Sequence, residues 1–383
     1  SEIGSEEVSN GDFSQEGSEL VINGGFTGSS ADWTESGTWA YGNNNEVCTG
    51  NGTNQMLTQA GILTSGKFYT YSVDIISSTL SSQEIRVYIG GNDYITHTLN
   101  GGVETITGYT VSAGSNLVIR VTSANTSGIL TIDNVSVKEV GQDWLPKYSG
   151  TGDWSITDKL NFENVNGGSR QNNVFVIGKT YKITLDYVFT SGTRLILPYD
   201  GSNFPSGGVI TSPSSATGYT YYYTPISNTS LNIYSDGNGN GSVDNISVKE
   251  VGQDWTLQSG WSIGDDEAVS NGASSSSYLY QENILTLGAT YKVTVDVTRN
   301  SGEIRFYITS SITQTINSSG TFTFYATCNR TDLDLYIQSI NFNGSVSNIS
   351  VVEITDDTDL PRINYEGFSY QDVLGSELVT NGN

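Results

Sequence analysis

The chain has 383 residues, with 16 Lys and Arg against 40 Asp and Glu, for a formal net charge of −24. A surface of that sign repels nucleic-acid phosphates and anionic lipid, which excludes both as expected partners. Charged residues make up only 15% of the chain, Gly (44), Tyr (23) and Phe (12) are plentiful and Pro (6) is scarce, the profile of an all-β extracellular or virion-surface protein.

No apolar run approaches the roughly 20 residues of a membrane span, so no membrane insertion is expected. The two cysteines, Cys48 and Cys328, lie in different repeats, and the fold must rest on its core rather than on an intradomain disulfide. No signal peptide is visible and the chain begins at Ser, so the expectation is a processed product or a fragment.

In chain order, an N-terminal extension (1–16) contains "GSEEVSNGDF" (4–13), a near-copy of "GSELVINGGF" (17–26) that follows it. Then comes a triplicated pattern. "DW" stands at Asp32–Trp33, Asp143–Trp144 and Asp254–Trp255, at equal intervals. A Gly-led strand follows in each copy: "GKFYTYSVD" from Gly66, "GKTYKITLD" from Gly178 and "GATYKVTVD" from Gly288. Each copy closes on "IDNVSVKEV" (132–140), "VDNISVKEV" (243–251) or "VSNISVVEI" (346–354). The repeats are therefore 17–141, 142–252 and 253–354, with a tail at 355–383.

Period-two alternation runs through the copies. In "TYKITLDY", Tyr181, Ile183, Leu185 and Tyr187 fall on one face, and Thr180, Lys182, Thr184 and Asp186 on the other. Further strands are expected at "EIRVYI" (84–89), "EIRFYI" (303–308), "NLVIRV" (116–121), "SLNIY" (230–234) and "DLDLYI" (332–337). In the closing motif Ile132, Val135 and Val137 break the alternation, which predicts a bulge at Asp133–Asn134. The fold class read from this is all-β: three tandem jelly-roll-like β-sandwich domains in a rod-like array, because the linkers are nearly absent.

A first strand "ELVINGGF", then "DW", "GKFYTYSVD" and a final "IDNVSV" resemble the carbohydrate-binding-module jelly rolls of the family 4/9/22 kind, found in polysaccharide-degrading enzymes and in phage and bacterial surface proteins. The pattern is complete in copy one. Copies two and three lack the first strand before their Trp, and copy three has Ser347 where the others have Asp133 and Asp244. The segment "DLPRINYEGFSYQ" (359–371) is similar to a short element of phage head-spike and tail-fibre proteins.

The resemblance implies sugar sites and a structural Ca²⁺. Each copy has a tryptophan pair, Trp33/Trp39, Trp144/Trp154 and Trp255/Trp261. Such a pair either stacks on a sugar or plugs the sandwich, and its recurrence beside the first strand favours plugging. Arg86 with Tyr88, and Arg305 with Tyr307, share an outward strand face; it reads either as an ordinary solubilising outer face or as the first choice for a glycan groove. In copy two Arg194 has lost that Tyr neighbour, while Tyr222 of the "GYTYYYTP" cluster (218–225) points outward. The resemblance also implies Ca²⁺ on Asp133 and Asp244, against the alternative that each satisfies turn amides. The stretches "SDGNGNGS" (235–242) and "TDDTD" (355–359) read as solvated loops. His97, the one histidine, reads as an exposed strand residue, and no catalytic constellation converges, so no enzymatic activity is expected.

The tail ends on "GSELVTNGN" (375–383), stopping where the motif would supply its Phe. Either the natural chain continues into a fourth copy, or Glu377, Leu378 and Val379 form an assembly strand that enters a neighbouring subunit. The overall expectation is a structural fibre or appendage of a phage virion with surface-glycan attachment. Its partners would be copies of itself, other virion proteins and cell-surface glycans. The rival is a secreted bacterial adhesin or the carbohydrate-binding accessory region of a polysaccharide-degrading enzyme.

Overall fold

A computed structural model describes residues 4–91, 94–200, 204–205, 207–264, 266–272, 277–354, 374–380 and 382. Among these residues every regular element is a strand, and the fold is all-β of sandwich type. The chain divides into two compact units, one of residues 7–178 and 183–248, the other of 1–6, 179–182 and 249–383.

Copy one has two sheets. The first runs Trp39–Tyr41, Glu46–Thr49, Ile129–Val140, Phe68–Ser78, Glu104–Val111, with Glu16–Glu19 also bonded to Ile129–Val140. The second runs Thr34–Ser36, Gln55–Gln59, Leu117–Val121, Glu84–Ile89, Tyr94–Thr98. Alternation decides which faces meet. Tyr69, Tyr71, Val73 and Ile75 of the first sheet and Ile85, Val87 and Ile89 of the second are at most 2% exposed, and each such burial stabilises by about 1.5–3 kcal/mol. Trp33 and Trp39 belong to this core. All six tryptophans are 8% exposed or less, so the recurring pairs pack the sandwiches.

The closing strand of copy one shifts register between Asp133 and Ser136, with Asn134 at φ 47°. This is the bulge that the spacing predicts. Asn245 and Asn348 adopt the same left-handed conformation, at 48° and 49°, because a short polar side chain tolerates it better than a branched one.

Copy two corrects one expectation. "SDGNGNGS" is not a loop; it lies inside one continuous strand, Leu231–Val251, in the sheet ordered Trp144–Ile156, Leu160–Gln171, Leu231–Val251, Thr180–Ser191, Ser214–Tyr223. Gly237 and Asn238, at φ 71° and 57°, break the regular strand geometry between a first half paired with Arg194–Ile196 and a second half that carries the closing motif. A run rich in Gly and Asn reads as a loop in sequence because the residues that permit a corner are also those that permit a turn. Copy three does the same with Leu335–Ile354 and Thr290–Tyr307, so "TYKVTVD" and "EIRFYI" form one strand there and two strands in copy one.

The first-strand motif resolves the asymmetry between copies. In copy one, Leu20 donates to Val137 and Val135 to Gly24. In copy two the matching bonds are Glu7 to Val248 and Ile246 to Gly11, so the N-terminal near-copy takes the first-strand position there, although only an isolated bridge, Glu6 to Lys249, has strand pairing. Phe13 packs on Trp144 (5.1 Å between centroids) as Phe26 packs on Trp33 (5.4 Å). In copy three, Leu374–Glu377 pairs with Leu335–Ile354, Leu378 donates to Val351, and Val379 enters the core. Glu377, Leu378 and Val379 thus complete copy three of their own chain, an arrangement that neither expectation for the tail had included.

Candidate functional site

The outward face of the second sheet in copy one gathers four long side chains. Strand register sets Tyr88 opposite Tyr94 and Arg86 opposite Arg120. The Arg86 guanidinium lies 4.3 Å from the Tyr94 ring centroid, and that of Arg120 lies 4.5 Å from the Tyr88 centroid. The two tyrosine rings are 5.1 Å apart. Arg86 also pairs with Glu84 at 3.1 Å. Planar guanidinium stacking on an aromatic face holds both cations in place while leaving edge N–H groups to donate. Arg86 and Tyr88 do share one face, as the alternation indicated. Tyr88, however, is only 6% exposed under its neighbours, and the open ring is Tyr94, at 46%.

Copy three builds the corresponding face from more aromatics. Tyr280 stacks on Tyr336 at 5.1 Å, and Tyr278 meets Tyr336 and Tyr307 edge-on at 5.6 and 6.5 Å. Tyr307 donates to Gln338 (2.6 Å), which donates to Tyr278 (3.0 Å). Arg330 lies over Tyr336 at 4.7 Å, and burial, with a hydrogen bond to Asp334, pushes the Tyr336 phenol up to about 12. Arg305 sits on the same strand as Tyr307, paired with Glu303. In copy two, Arg194 binds Asp236 through Nε (3.0 Å) and Nη2 (2.6 Å) and faces Phe204 at 5.4 Å, beside Tyr199 and Tyr234 stacked at 4.2 Å. Arg194 has aromatic company after all, from residues distant in sequence.

Tyr222 does not join that cluster. It lies half-buried on Ser214–Tyr223, whose sheet neighbour is Thr180–Ser191, between the buried Tyr221 and Tyr223. Asp133 and Asp244 each accept the next residue's amide at 2.7 Å, and Asn134 and Asn245 donate onward to Asp74 (2.9 Å) and Asp186 (2.8 Å). Burial, with Asp186 and Asp158 nearby, raises the Asp244 carboxyl. Asp244 and Asp186 also line a cavity of about 400 Å³ with Lys159. Among the described residues no three His, Cys, Asp or Glu side chains gather as a metal-ligand group. His97 is half-buried rather than exposed, its Nε2 2.7 Å from the Tyr71 hydroxyl. "TDDTD" and "DLPRINYEGFSYQ" lie outside the described residues.

No family model matches the chain, and no curated protein matches it. Among solved structures, the chain is similar to the N-terminal CBM22-1–CBM22-2 tandem of Xyn10C from Paenibacillus barcinonensis, at 12% identity and TM-score 0.28, covering 62% of this chain and 99% of that one. It is also similar to a fucolectin from striped bass (Morone saxatilis) serum, at 14% identity and TM-score 0.18, covering 53% and 84%. A third is a triple-jelly-roll turret protein of an archaeal virus, at 10% identity and TM-score 0.21, covering 82% and 89%.

Proposed function

We propose that the protein is a non-enzymatic, extracellular appendage protein that attaches to glycans through the arginine–aromatic faces of its sandwiches. The observation that carries this reading is recurrence. All three copies gather arginine and neighbouring aromatic rings around the strands "EIRVYI", "TRLI" and "EIRFYI", the rings tilted in copy one and stacked in copies two and three. A pyranose offers an apolar C–H face to such rings and hydroxyls to the guanidinium edges. A phage particle is the proposed setting, on the strength of the tandem repeats and the resemblance of residues 359–371 to phage spike and fibre proteins.

A glycan array tests the attachment. The expected result is saturable binding that falls at least tenfold in Tyr94→Ala and Tyr280→Ala. An array with no wild-type binding, or variants that bind as the wild type does, would overturn the reading. Structural Ca²⁺ at Asp133 and Asp244 is a second proposal, with turn carbonyls completing the donors. It predicts a lower melting temperature after chelation, and a melt that EDTA leaves unchanged would remove it.

A further inference from the structure

The three arginine–aromatic faces share a register and differ in charge. Arg86, Arg194 and Arg305 stand at matching places in "EIRVYI", "TRLI" and "EIRFYI". The residue directly across the neighbouring strand is Arg120 in copy one, Asp236 in copy two and Gln338 in copy three. Asp236 neutralises its arginine through Nε and Nη2. Gln338 carries no charge and bonds Tyr307 and Tyr278, while Arg305 pairs with Glu303. Copy one alone sets a second cation against the first.

Like charges directly opposite each other on a sheet repel and destabilise the pair. Glu84 offsets one of them, through a contact to Arg86 at 3.1 Å. Among the described residues no carboxylate pairs with Arg120; its guanidinium lies over the Tyr88 ring instead, at 4.5 Å. Copy three shows that a neutral residue serves the same register position, so packing does not require the charge. The Nε of Arg86 and that of Arg120 are buried without a partner, so a ligand meets each head through its Nη groups. Two parallel N–H donors at the end of a guanidinium are the fork that a carboxylate fills.

We propose that the copy-one face takes a carboxylated sugar, a uronic or a sialic acid unit, with its carboxylate on Arg120 and its C–H face on Tyr94. This rests on the reading of these faces as glycan sites and adds the class of sugar that copy one selects. Tyr94 is 46% exposed, and its ring lies 5.1 Å from that of Tyr88, so the open ring and the unpaired cation flank the same tyrosine. The formal net charge of −24 narrows the acid further. A field of that sign opposes a densely charged polyanion, whereas screening over about 8 Å at physiological ionic strength leaves a single carboxylate to its local partners. A glycan with isolated acidic units fits this face. Copies two and three, whose arginines are already paired, are left to neutral sugars.

Titration calorimetry on the full-length chain tests this with two pairs of oligosaccharides. One pair ends in glucuronic acid and the other in sialic acid, each acid set beside its carboxyl-reduced, neutral twin. The wild type should bind at least one acid roughly tenfold more tightly than its twin, with the ratio falling as salt is raised. The pair that shows the preference tells uronate from sialate. Arg120→Gln writes the copy-three residue into copy one and should bring the ratio to about one. Circular dichroism checks its fold; Arg120→Lys, which keeps the charge and loses the fork, should give a ratio between the two and carries the test if Arg120→Gln does not fold. A preference that survives both substitutions, or a wild type that binds acids and twins alike, overturns the proposal and leaves glycan attachment standing. So does a wild type that binds neutral glycans on an array and none of these four ligands. An array with no binding at all removes the attachment reading, and this inference with it.

Discussion

Glu46 is a carboxylic acid with 0% exposure, and neither of its oxygens is reached by a hydrogen-bond donor. Burial first, then the Glu35 carboxylate beside it, pushes its pKa up to about 7. A carboxyl raised above its unfolded value binds its proton more tightly when folded, so its stabilisation is complete below about pH 4.5 and is lost as pH rises through about 7. Glu46→Gln keeps the shape and removes the charge. It should leave thermal unfolding at pH 5 nearly unchanged and stabilise the protein at pH 8 by on the order of 1–3 kcal/mol; equal shifts at both pH values would contradict this. His97 works in the opposite sense, since burial lowers its pKa. Neither environment was legible in sequence. Glu46 alternates like any strand residue, and the contact of His97 with Tyr71 joins strands of different sheets, which no local spacing announces.

At the scale of elements, the sequence carried the strands and much of their facing, because burial on one side imposes period two. It also carried the bulge at Asp133–Asn134. It misjudged Gly237–Asn238, where a sheet corner and a loop draw on the same residues. The arginine–aromatic faces were half visible. Arg86 and Arg305 were found on their strands, but Tyr94, Arg120, Tyr199 and Tyr336 belong to neighbouring strands or connections, so only the register brings them together. The difference between Tyr88 and Tyr94 can be measured. Tyr88→Ala removes a ring that is 6% exposed and should lower the melting temperature, whereas Tyr94→Ala, from a ring 46% exposed, should reduce glycan binding with little change in the melt. Calorimetry on both variants, giving matched melting shifts, would count against this division of the face.

For the whole molecule, three copies of the repeat and three first-strand motifs stand in one sequence, and that equality can be counted from the sequence. What sequence could not show is the assignment, because a motif several strands away can reach any open edge that its backbone matches. Each copy is completed by one motif, wherever the chain carries it. Hydrogen exchange by mass spectrometry on Gly11→Val tests this most directly, since the new side chain would strike the Ile246 carbonyl, 2.0 Å from its Cβ. The predicted result is at least tenfold faster exchange at residues 7–13 and 246–248, with Val135 and Val137 of copy one still protected. Unchanged protection at Ile246, or an equal loss in copy one, would contradict it.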